Sequence, residues 1–129
     1  MIVLDTHAWV WWMTRPTRLG KRAARAIDKA ERIGLPSICT WEVAVKADAG
    51  KLRFDRPYPL WIDEALAEDP RLELLPLLPS ITVASVQLSW GHADPADRFI
   101  VATARVHEAT LITADERIQG SGLVRCAWD

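Results

Sequence analysis

The stretch DPADRFIVATA, residues 94–104, predicts a buried helix that begins at two carboxylates. Asp94 is a residue type favoured at the helix N-cap, and Pro95 suits the first helical position. Asp97 falls in the first turn, where the positive end of the helix dipole stabilises an acid. The apolar residues that follow indicate that this helix packs inside the protein. Capping alone accounts for the pattern, so the role of the two acids depends on the rest of the chain.

Length and composition indicate one folded domain over residues 1–129. Half of the 129 residues are hydrophobic and 26% are charged, which is enough apolar material to bury a core. No apolar run approaches the roughly 18 residues that a membrane-spanning helix needs. The start, Met1 to Asp5, lacks the basic region of a signal peptide, so we expect a cytoplasmic protein. Cys39 and Cys126 are far apart in apolar runs, which favours buried free thiols over a metal or redox site.

Short apolar runs alternate with helical patterns along the whole chain. This alternation predicts an α/β fold, specifically a three-layer α/β/α domain with a mostly parallel sheet of about five strands. Glycine favours the position after a helix, so Gly34 and Gly50 are each predicted to end one. The predicted strands are 2–4, 36–39, 72–75, 110–113 and 123–126, and the longer predicted helices are 19–33, 60–68, 81–88 and 95–107.

Three further acids are predicted to follow strands. Asp5 follows the first strand, Asp115 follows the strand at 110–113, and Glu42 is predicted in the first turn of the helix after the second strand. Ligands of parallel sheets bind at the carboxyl ends of the strands, so these acids and Asp97 are predicted to share one pocket. Asp5 and Asp115 are equally good helix caps. Glu42 also has an ordinary local partner in Lys46, one helical turn later.

A pocket with four carboxylates has a specific chemical consequence. The negative charges repel one another, so the acids hold protons unless a cation compensates them. A ligand set made only of oxygen favours Mg²⁺ or Mn²⁺ over Zn²⁺. Such ions activate water and neutralise phosphate oxygens. No histidine is required by this scheme, and we interpret His7, His92 and His107 as residues with local hydrogen bonds.

The four acidic segments together resemble those of PIN domains, and specifically the toxin ribonucleases of the VapC type. The order and spacing of the segments agree along nearly the whole chain, although each is weak alone. The matching segments are Leu4-Asp5-Thr6-His7, Trp41-Glu42-Val43-Ala44-Val45-Lys46, Asp94-Pro95-Ala96-Asp97-Arg98 and Thr113-Ala114-Asp115.

The resemblance implies an endoribonuclease that uses Mg²⁺ or Mn²⁺, cleaves RNA, forms a homodimer and is inhibited by a cognate antitoxin. It also implies that Asp5, Glu42, Asp97 and Asp115 are the catalytic and metal-binding acids. We expect Asp5 and Asp97 to hold the principal ion, with Glu42 and Asp115 placing a second ion or the attacking water. The supporting polar residues in this interpretation are Thr6, Asp94, Thr113, Lys46 and Arg98.

Two of these supporting residues have competing interpretations. Arg98 either contacts substrate phosphate or pairs with Asp94 at i and i+4, and we favour the pair. Lys46 either pairs with Glu42 or binds phosphate, and we favour the pair.

A basic helix face is the candidate surface for nucleic acid. Arg22, Arg25, Lys29 and Arg32 recur at three- and four-residue steps within the helix predicted at 19–33. Such a face binds phosphates through charge, but it is equally typical of a helix side that simply faces water.

Other functions remain open at the level of sequence. A haloacid-dehalogenase-type phosphatase needs a second acid two residues after Asp5, where His7 stands, and a receiver domain has paired acids after its first strand. The remaining alternative is a catalytically silent RNA- or protein-binding module on the same fold. Trp9 and Trp12 share a helix face, and one of them is a candidate for a dimer or antitoxin surface.

Overall fold

Strands and helices alternate through the computed structural model, which describes residues 1–92 and 94–129. The predicted α/β class is confirmed. The elements are β1 (Ile2–Leu4), α1 (Thr6–Thr14), a 3-10 turn (Pro16–Arg18), α2 (Lys21–Lys29), β2 (Ile33–Pro36), α3 (Ser37–Asp48), α4 (Tyr58–Ala67), β3 (Leu72–Leu75), α5 (Pro79–Gln87), α6 (Pro95–Val106), β4 (Thr110–Ile112), α7 (Glu116–Gln119) and β5 (Cys126–Ala127).

The five strands form one sheet in the order β3-β2-β1-β4-β5, and every neighbouring pair is parallel. β1 lies at the centre, where Ile2 is in register with Ile33 of β2 and with Thr110 of β4. After β3 the chain crosses to the other side of β1, so the strand order reverses beside β1. Ligand sites of open parallel sheets lie at such reversals, outside the carboxyl ends of the strands.

The core consists of the central strands and the helices packed on them. Val3, Leu4, Leu111 and Ile112 are completely buried in β1 and β4. The predicted burial of α6 is confirmed, because every residue from Ile100 to Ala104 is buried. The apolar stretch of this helix therefore fixes its first turn, which contains Asp97, against the sheet.

The predicted position of β2 is wrong, and the error moves Glu42. The strand ends at Pro36 instead of starting there, and α3 begins at Ser37, so Glu42 lies in the second turn of α3. Gly34 does not end a helix but lies inside β2, where a Cβ atom would come within 2.6 Å of Cδ1 of Leu75. A larger residue at position 34 would therefore displace the Leu75 side chain, whereas Gly50 has a φ of 75° after α3, as its predicted role demands.

Two further boundaries differ from the sequence prediction. α2 ends at Lys29, because the chain is already extended at Ala30 and the following residues join β2. The last strand is Cys126–Ala127 and not 123–126, since only Cys126 and Ala127 are in register with β4. Within the described residues, no helix has both the length and the apolar character needed to cross a membrane.

The tryptophans and cysteines divide between core and surface. Trp9 is fully buried, so the prediction that it could form a partner surface is wrong for this residue, while Trp12 is half-buried. The most exposed indole is that of Trp41 in α3, with 58% of its surface accessible. Cys39 and Cys126 are both free thiols, as predicted, although Cys126 is only half-buried.

Candidate active site

A cavity of about 200 Å³ lies beyond the carboxyl ends of β1 and β4, and the four predicted acids all line it. The strand ends meet here, since the Asp5 backbone N–H donates to the Ile112 carbonyl at 3.1 Å. Five of the lining side chains are acidic and two are strongly basic. The lining residues are Asp5, Thr6, His7, Glu42, Lys46, Asp94, Asp97, Ile100, Asp115 and Arg117.

Asp5 is the most buried acid of the cavity, and it caps α1 as well. Its Oδ1 accepts the Ala8 backbone N–H at 2.8 Å, and its Oδ2 accepts the Thr113 hydroxyl at 2.5 Å. Burial raises the pKa of Asp5 to about 6, and the hydrogen bonds from Thr113 and Ala8 only partly oppose that shift. The capping and pocket interpretations are therefore compatible, because one carboxylate uses a different oxygen for each contact.

Glu42 reaches the cavity from α3 and is held by the first residue of α1. The Thr6 hydroxyl donates to Oε1 of Glu42 at 2.5 Å. Lys46 also lines the cavity, but the predicted pair with Glu42 is wrong, since the ion pairs found among the described residues do not include it. The Thr6 hydroxyl, which the sequence marked only as a supporting group, provides the contact instead.

Asp97 and Asp94 have the separate positions that the helix start predicts. Asp94 caps α6 by accepting the Ala96 backbone N–H at 3.0 Å and is exposed, whereas Asp97 lies in the first turn and is largely buried. Nε2 of His92 lies 2.6 Å from Oδ2 of Asp97. One potential ligand atom each from His92, Asp94 and Asp97 falls within a span of 4.8 Å.

Arg98 binds backbone carbonyls and does not form the ion pair with Asp94 that we favoured. Its guanidinium donates to four backbone carbonyls before α6, at distances of 2.8 to 3.1 Å, and the predicted contact with substrate phosphate stays a prediction. The predicted pair with the Asp94 carboxylate is wrong, since the ion pairs found among the described residues do not include it. The four accepting carbonyls belong to Ser85, Leu88, Trp90 and His92.

Asp115 begins α7 and completes the ring of acids. Its Oδ1 accepts the backbone N–H groups of Arg117 at 2.8 Å and Ile118 at 3.3 Å. Partial burial acts to raise the pKa of Asp115, but these backbone bonds together with the Arg117 guanidinium outweigh it and lower the pKa. Its own backbone N–H donates to the Thr113 hydroxyl at 3.0 Å, so Thr113 links Asp115 to Asp5.

Arg117 is a site residue that the sequence interpretation missed. Its Nη2 lies 3.4 Å from Oδ2 of Asp115 and 3.9 Å from Oδ2 of Asp97, and two thirds of its side chain is exposed. An arginine two residues after the strand-end acid was the available signal. His92 was assigned a local hydrogen bond from sequence, and it makes one, but its partner is the cavity acid Asp97.

The basic residues proposed for nucleic acid lie apart from the cavity lining. Arg22, Arg25 and Lys29 are exposed on α2, as the sequence pattern predicts. Arg32 lies beyond the end of that helix and forms a bidentate ion pair with Glu73 of β3, at 2.6 and 2.8 Å. The structure therefore removes Arg32 from the predicted helix face.

Comparison with known proteins identifies the family of this chain from its sequence. The sequence matches the family profile described as PIN domain over residues 2–120. It is 34% identical to Ribonuclease VapC22 of Mycobacterium tuberculosis over 119 residues, which is 92% of this chain and 89% of that protein.

Solved structures agree at the level of fold. The structure of VapBC2 from Rickettsia felis bound to a DNA fragment from its promoter aligns over 100% of both chains, with a TM-score of 0.70 and 19% identity. A toxin-antitoxin complex from Klebsiella pneumoniae aligns over 96% of this chain and 95% of that one, with a TM-score of 0.66 and 20% identity.

Proposed function

This chain belongs to the PIN domain family, and from that premise we propose that it is a metal-dependent endoribonuclease toxin of the VapC type. The observation that carries the proposal is the convergence of Asp5, Glu42, Asp97 and Asp115 on one cavity at the carboxyl edge of the sheet. The identity to a protein named as a ribonuclease supports RNA as the substrate.

The side chains of the cavity fit a divalent cation. Its acids outnumber its cations, Lys46 and Arg117, and burial raises the pKa of Asp5, so a positive ion would relieve both the repulsion and the cost of ionising Asp5. Carboxylate oxygens favour Mg²⁺ or Mn²⁺. Asp5 and Asp97 would hold the principal ion, while Glu42 and Asp115 would place a second ion or the attacking water.

The proposed reaction is hydrolysis of an RNA phosphodiester by water. A bound divalent ion lowers the pKa of water and neutralises charge on the phosphate. The chain supplies fixed carboxylates: Thr113 holds Asp5, and Thr6 holds Glu42. Water attacks the phosphorus and the bond to the 3′ oxygen breaks, so the products carry a 5′ phosphate and a 3′ hydroxyl. Lys46 and Arg117 line the same cavity and are available to bind phosphate oxygens.

The direct test is cleavage of total RNA in Mg²⁺ or Mn²⁺, with and without EDTA. We expect EDTA to abolish cleavage, and we expect Asp5→Asn and Asp97→Asn each to reduce it by at least about 100-fold, since each removes a charged ligand. Asp63→Asn, an exposed acid of α4, is the matched control and should cleave like the wild type. Activity that survives both EDTA and the two variants would refute the proposal.

An antitoxin and a second copy of the chain are the proposed protein partners. The fold shared with proteins solved in toxin-antitoxin complexes supports the first. Exposed apolar side chains on α5, Val83 and Val86, offer a surface for the second. Light scattering should give a dimer for the wild type and a monomer for Val86→Glu. A wild type that is monomeric at micromolar concentration would remove the homodimer from the proposal.

Trp12 on α1 is a candidate contact for the antitoxin. It is half-buried, so its exposed part is free to meet a partner. Trp12→Ala should weaken capture of the protein encoded by an adjacent reading frame while the circular dichroism spectrum stays that of the wild type. An unfolded variant would instead place Trp12 in the core.

The alternative function is a silent RNA-binding module, for which the exposed basic residues of α2 provide a surface. RNA binding that is unchanged by Asp97→Asn, with no cleavage in either metal, would select this alternative. The same experiment with Arg22→Gln and Arg25→Gln tests whether α2 contacts RNA. Cytoplasmic location is part of the proposal, and immunoblotting of cell fractions would test it.

A further inference from the structure

The side chain of Arg98 binds the backbone of the last turn of α5 and of the residues that follow it as far as His92. Nε of Arg98 donates to Ser85 at 3.1 Å, and Nη2 donates to Leu88 at 3.0 Å. Nη1 donates to Trp90 at 2.8 Å and to His92 at 3.0 Å. A guanidinium offers five N–H donors in a rigid plane, so it can hold several carbonyls at fixed directions.

One consequence of this arrangement is the position of the His92 ring. Arg98 holds the backbone carbonyl of His92, and the Trp90 ring packs on the imidazole with 4.7 Å between ring centroids. The ring is thereby fixed from two sides, and only 14% of the His92 side chain is exposed.

The imidazole directs its Nε2 at Asp97. The distance from Nε2 to Oδ2 is 2.6 Å. An ionised carboxylate has no hydrogen to donate, so in that state the hydrogen of this bond belongs to Nε2. Among the described residues, the polar contacts of the Asp97 carboxylate all go to Oδ2: His92 at 2.6 Å and Arg117 at 3.9 Å. The hydrogen bond therefore fixes one oxygen of Asp97 and leaves Oδ1 available to a ligand.

We infer that His92 is a positioning residue for Asp97, and that Arg98 acts through His92 by shaping the segment that carries it. This inference rests on the proposed function, because it assigns the two residues to the affinity of the acidic cavity for a divalent ion. Ligating carboxylates generally need such outer partners, whose loss weakens metal binding. The imidazole contributes through its N–H and not as a ligand.

The test measures binding of Mn²⁺ alone to the folded protein, without RNA, from the electron paramagnetic resonance signal of free Mn²⁺. His92→Ala should weaken binding by about 10- to 100-fold, the usual loss for an outer partner. His92→Gln keeps an N–H donor and should recover most of the affinity. Equal binding by the wild type and His92→Ala would overturn the inference while leaving the proposed function intact.

Arg98→Lys tests the second part of the inference, that Arg98 acts through His92. A lysine ammonium has three donors and no planar fork, so it cannot hold the four carbonyls. We expect Arg98→Lys to weaken Mn²⁺ binding, and we expect the double variant with His92→Ala to bind no more weakly than His92→Ala alone. Additive losses would show that Arg98 does not act through His92. Circular dichroism melts establish that each variant is folded at the temperature of the titration.

Two controls separate positioning by His92 from a simple charge effect and from direct ligation of the ion. Arg117→Gln removes an exposed cation near the same Oδ2 and should strengthen Mn²⁺ binding, in the opposite direction to His92→Ala. Electron spin echo spectra of bound Mn²⁺ should lack a directly coordinated nitrogen, and such a signal lost in His92→Ala would make His92 a ligand and overturn the inference. A wild type that binds no Mn²⁺ would overturn the proposed function and the inference together.

Discussion

The two ends of α1 lie at two different cavities. At its first turn, Thr6 and His7, together with the cap Asp5, line the acidic cavity of about 200 Å³. At its last turns, Trp11 and Thr14 line a cavity of about 640 Å³. Five basic residues and one acid also line this larger cavity: Arg15, Arg18, Lys51, Arg53, Arg56 and Asp55.

The two ends are also held by different forces. The first turn is fixed by hydrogen bonds from hydroxyl and backbone groups to carboxylates. The other end is fixed by packing: the Trp11 ring lies 5.7 Å from that of Trp128 and 5.7 Å from the Arg18 guanidinium. The larger cavity is three times the size of the smaller one, yet its acid, Asp55, is already paired with Arg56. Charge therefore identifies the candidate catalytic cavity, and size does not.

The largest expected effect is on stability, from a substitution at Gly20, close to the end of α1 that is fixed by packing. We call this end the packed end and the first turn of α1 the polar end. Gly20 caps α2, and a Cβ atom there would lie 2.1 Å from the Trp128 carbonyl oxygen, which accepts the Ala23 backbone N–H. We expect Gly20→Ala to lower the free energy of unfolding by about 2 to 3 kcal/mol, from overpacking plus loss of that cap. Urea denaturation of the wild type and Gly20→Ala measures this change in the free energy of unfolding. Gly91→Ala, where an added Cβ meets nothing within 4 Å, should change stability little. Equal effects at both glycines would contradict the close approach.

Thr113→Val should break the polar end without removing an acid. The valine cannot donate to Asp5 or accept from Asp115, so both hydrogen bonds of the Thr113 hydroxyl are lost while the side chain keeps nearly the same shape. We expect RNA cleavage to fall by about 10- to 100-fold, as for other outer partners of ligands.

The matched change at the packed end is Thr14→Val, which removes a hydroxyl bonded to the Val10 carbonyl at 2.7 Å. That variant should cleave RNA as the wild type does. Rates of RNA cleavage that fall equally in both variants would show that the two ends of α1 do not differ in function.

The pH dependence of stability should report on Asp5, the buried carboxylate at the polar end of α1. Asp5 has a pKa of about 6 in the folded protein and an ordinary value of 3.8, so the folded state binds its proton more tightly. Its contribution to stability is full below pH 3.8 and is lost as the pH rises through about 6. For metal-free protein in EDTA, this group should add about 1.4 kcal/mol of stability between pH 8 and pH 5.

Thermal melts of the wild type and Asp5→Asn across that pH range isolate the contribution of Asp5 to stability. The difference between the two proteins should shrink towards pH 5, because the protonated carboxyl and the amide are both neutral. A difference that is constant with pH would mean that Asp5 titrates with an ordinary pKa.

Arg18 should give the smallest effect. Its guanidinium lies over the Trp11 ring near the surface, where a cation–π contact contributes about 0.5 to 1 kcal/mol. Arg18→Gln should lower stability by that amount in urea denaturation. Arg15→Gln makes the same charge change on the same cavity wall. A loss as large for Arg15 as for Arg18 would attribute the effect to net charge and not to the ring.

Part of the site was predictable because it follows from strand ends. Asp5 directly follows one short apolar run and Asp115 lies three residues after the end of another, and the rule for parallel sheets brings the two acids together whatever the details of packing. Glu42 was predicted to reach the pocket from the wrong turn, because Gly34 looks like a helix end in sequence. Gly34 lies in β2 because it pairs with Val3 of β1 and Glu73 of β3, residues that are far from it in the chain.

The side-chain contacts of the site were less predictable. A pattern of spacing predicts local pairs, and it proposed Asp94 for Arg98 and Lys46 for Glu42. The structure instead joins Arg98 to four carbonyls and Glu42 to Thr6, contacts that depend on how the segment before α6 folds and how α1 meets α3. The exposed basic face of α2 was correctly predicted for Arg22, Arg25 and Lys29, since exposure follows from helical periodicity alone.

The hydrogen bond from Thr113 to Asp5 joins two residues that are 108 positions apart. On a translating ribosome, Asp5 and Thr6 are synthesised before Glu42, and all three are synthesised before Thr113. Thr113 and Asp115 are synthesised later still, and Arg117, which pairs with Asp115, follows them. A nascent chain that stops before Thr113 therefore lacks both the hydroxyl that holds Asp5 and the last of the four acids, so the acidic cavity is complete only after all of these residues have been made.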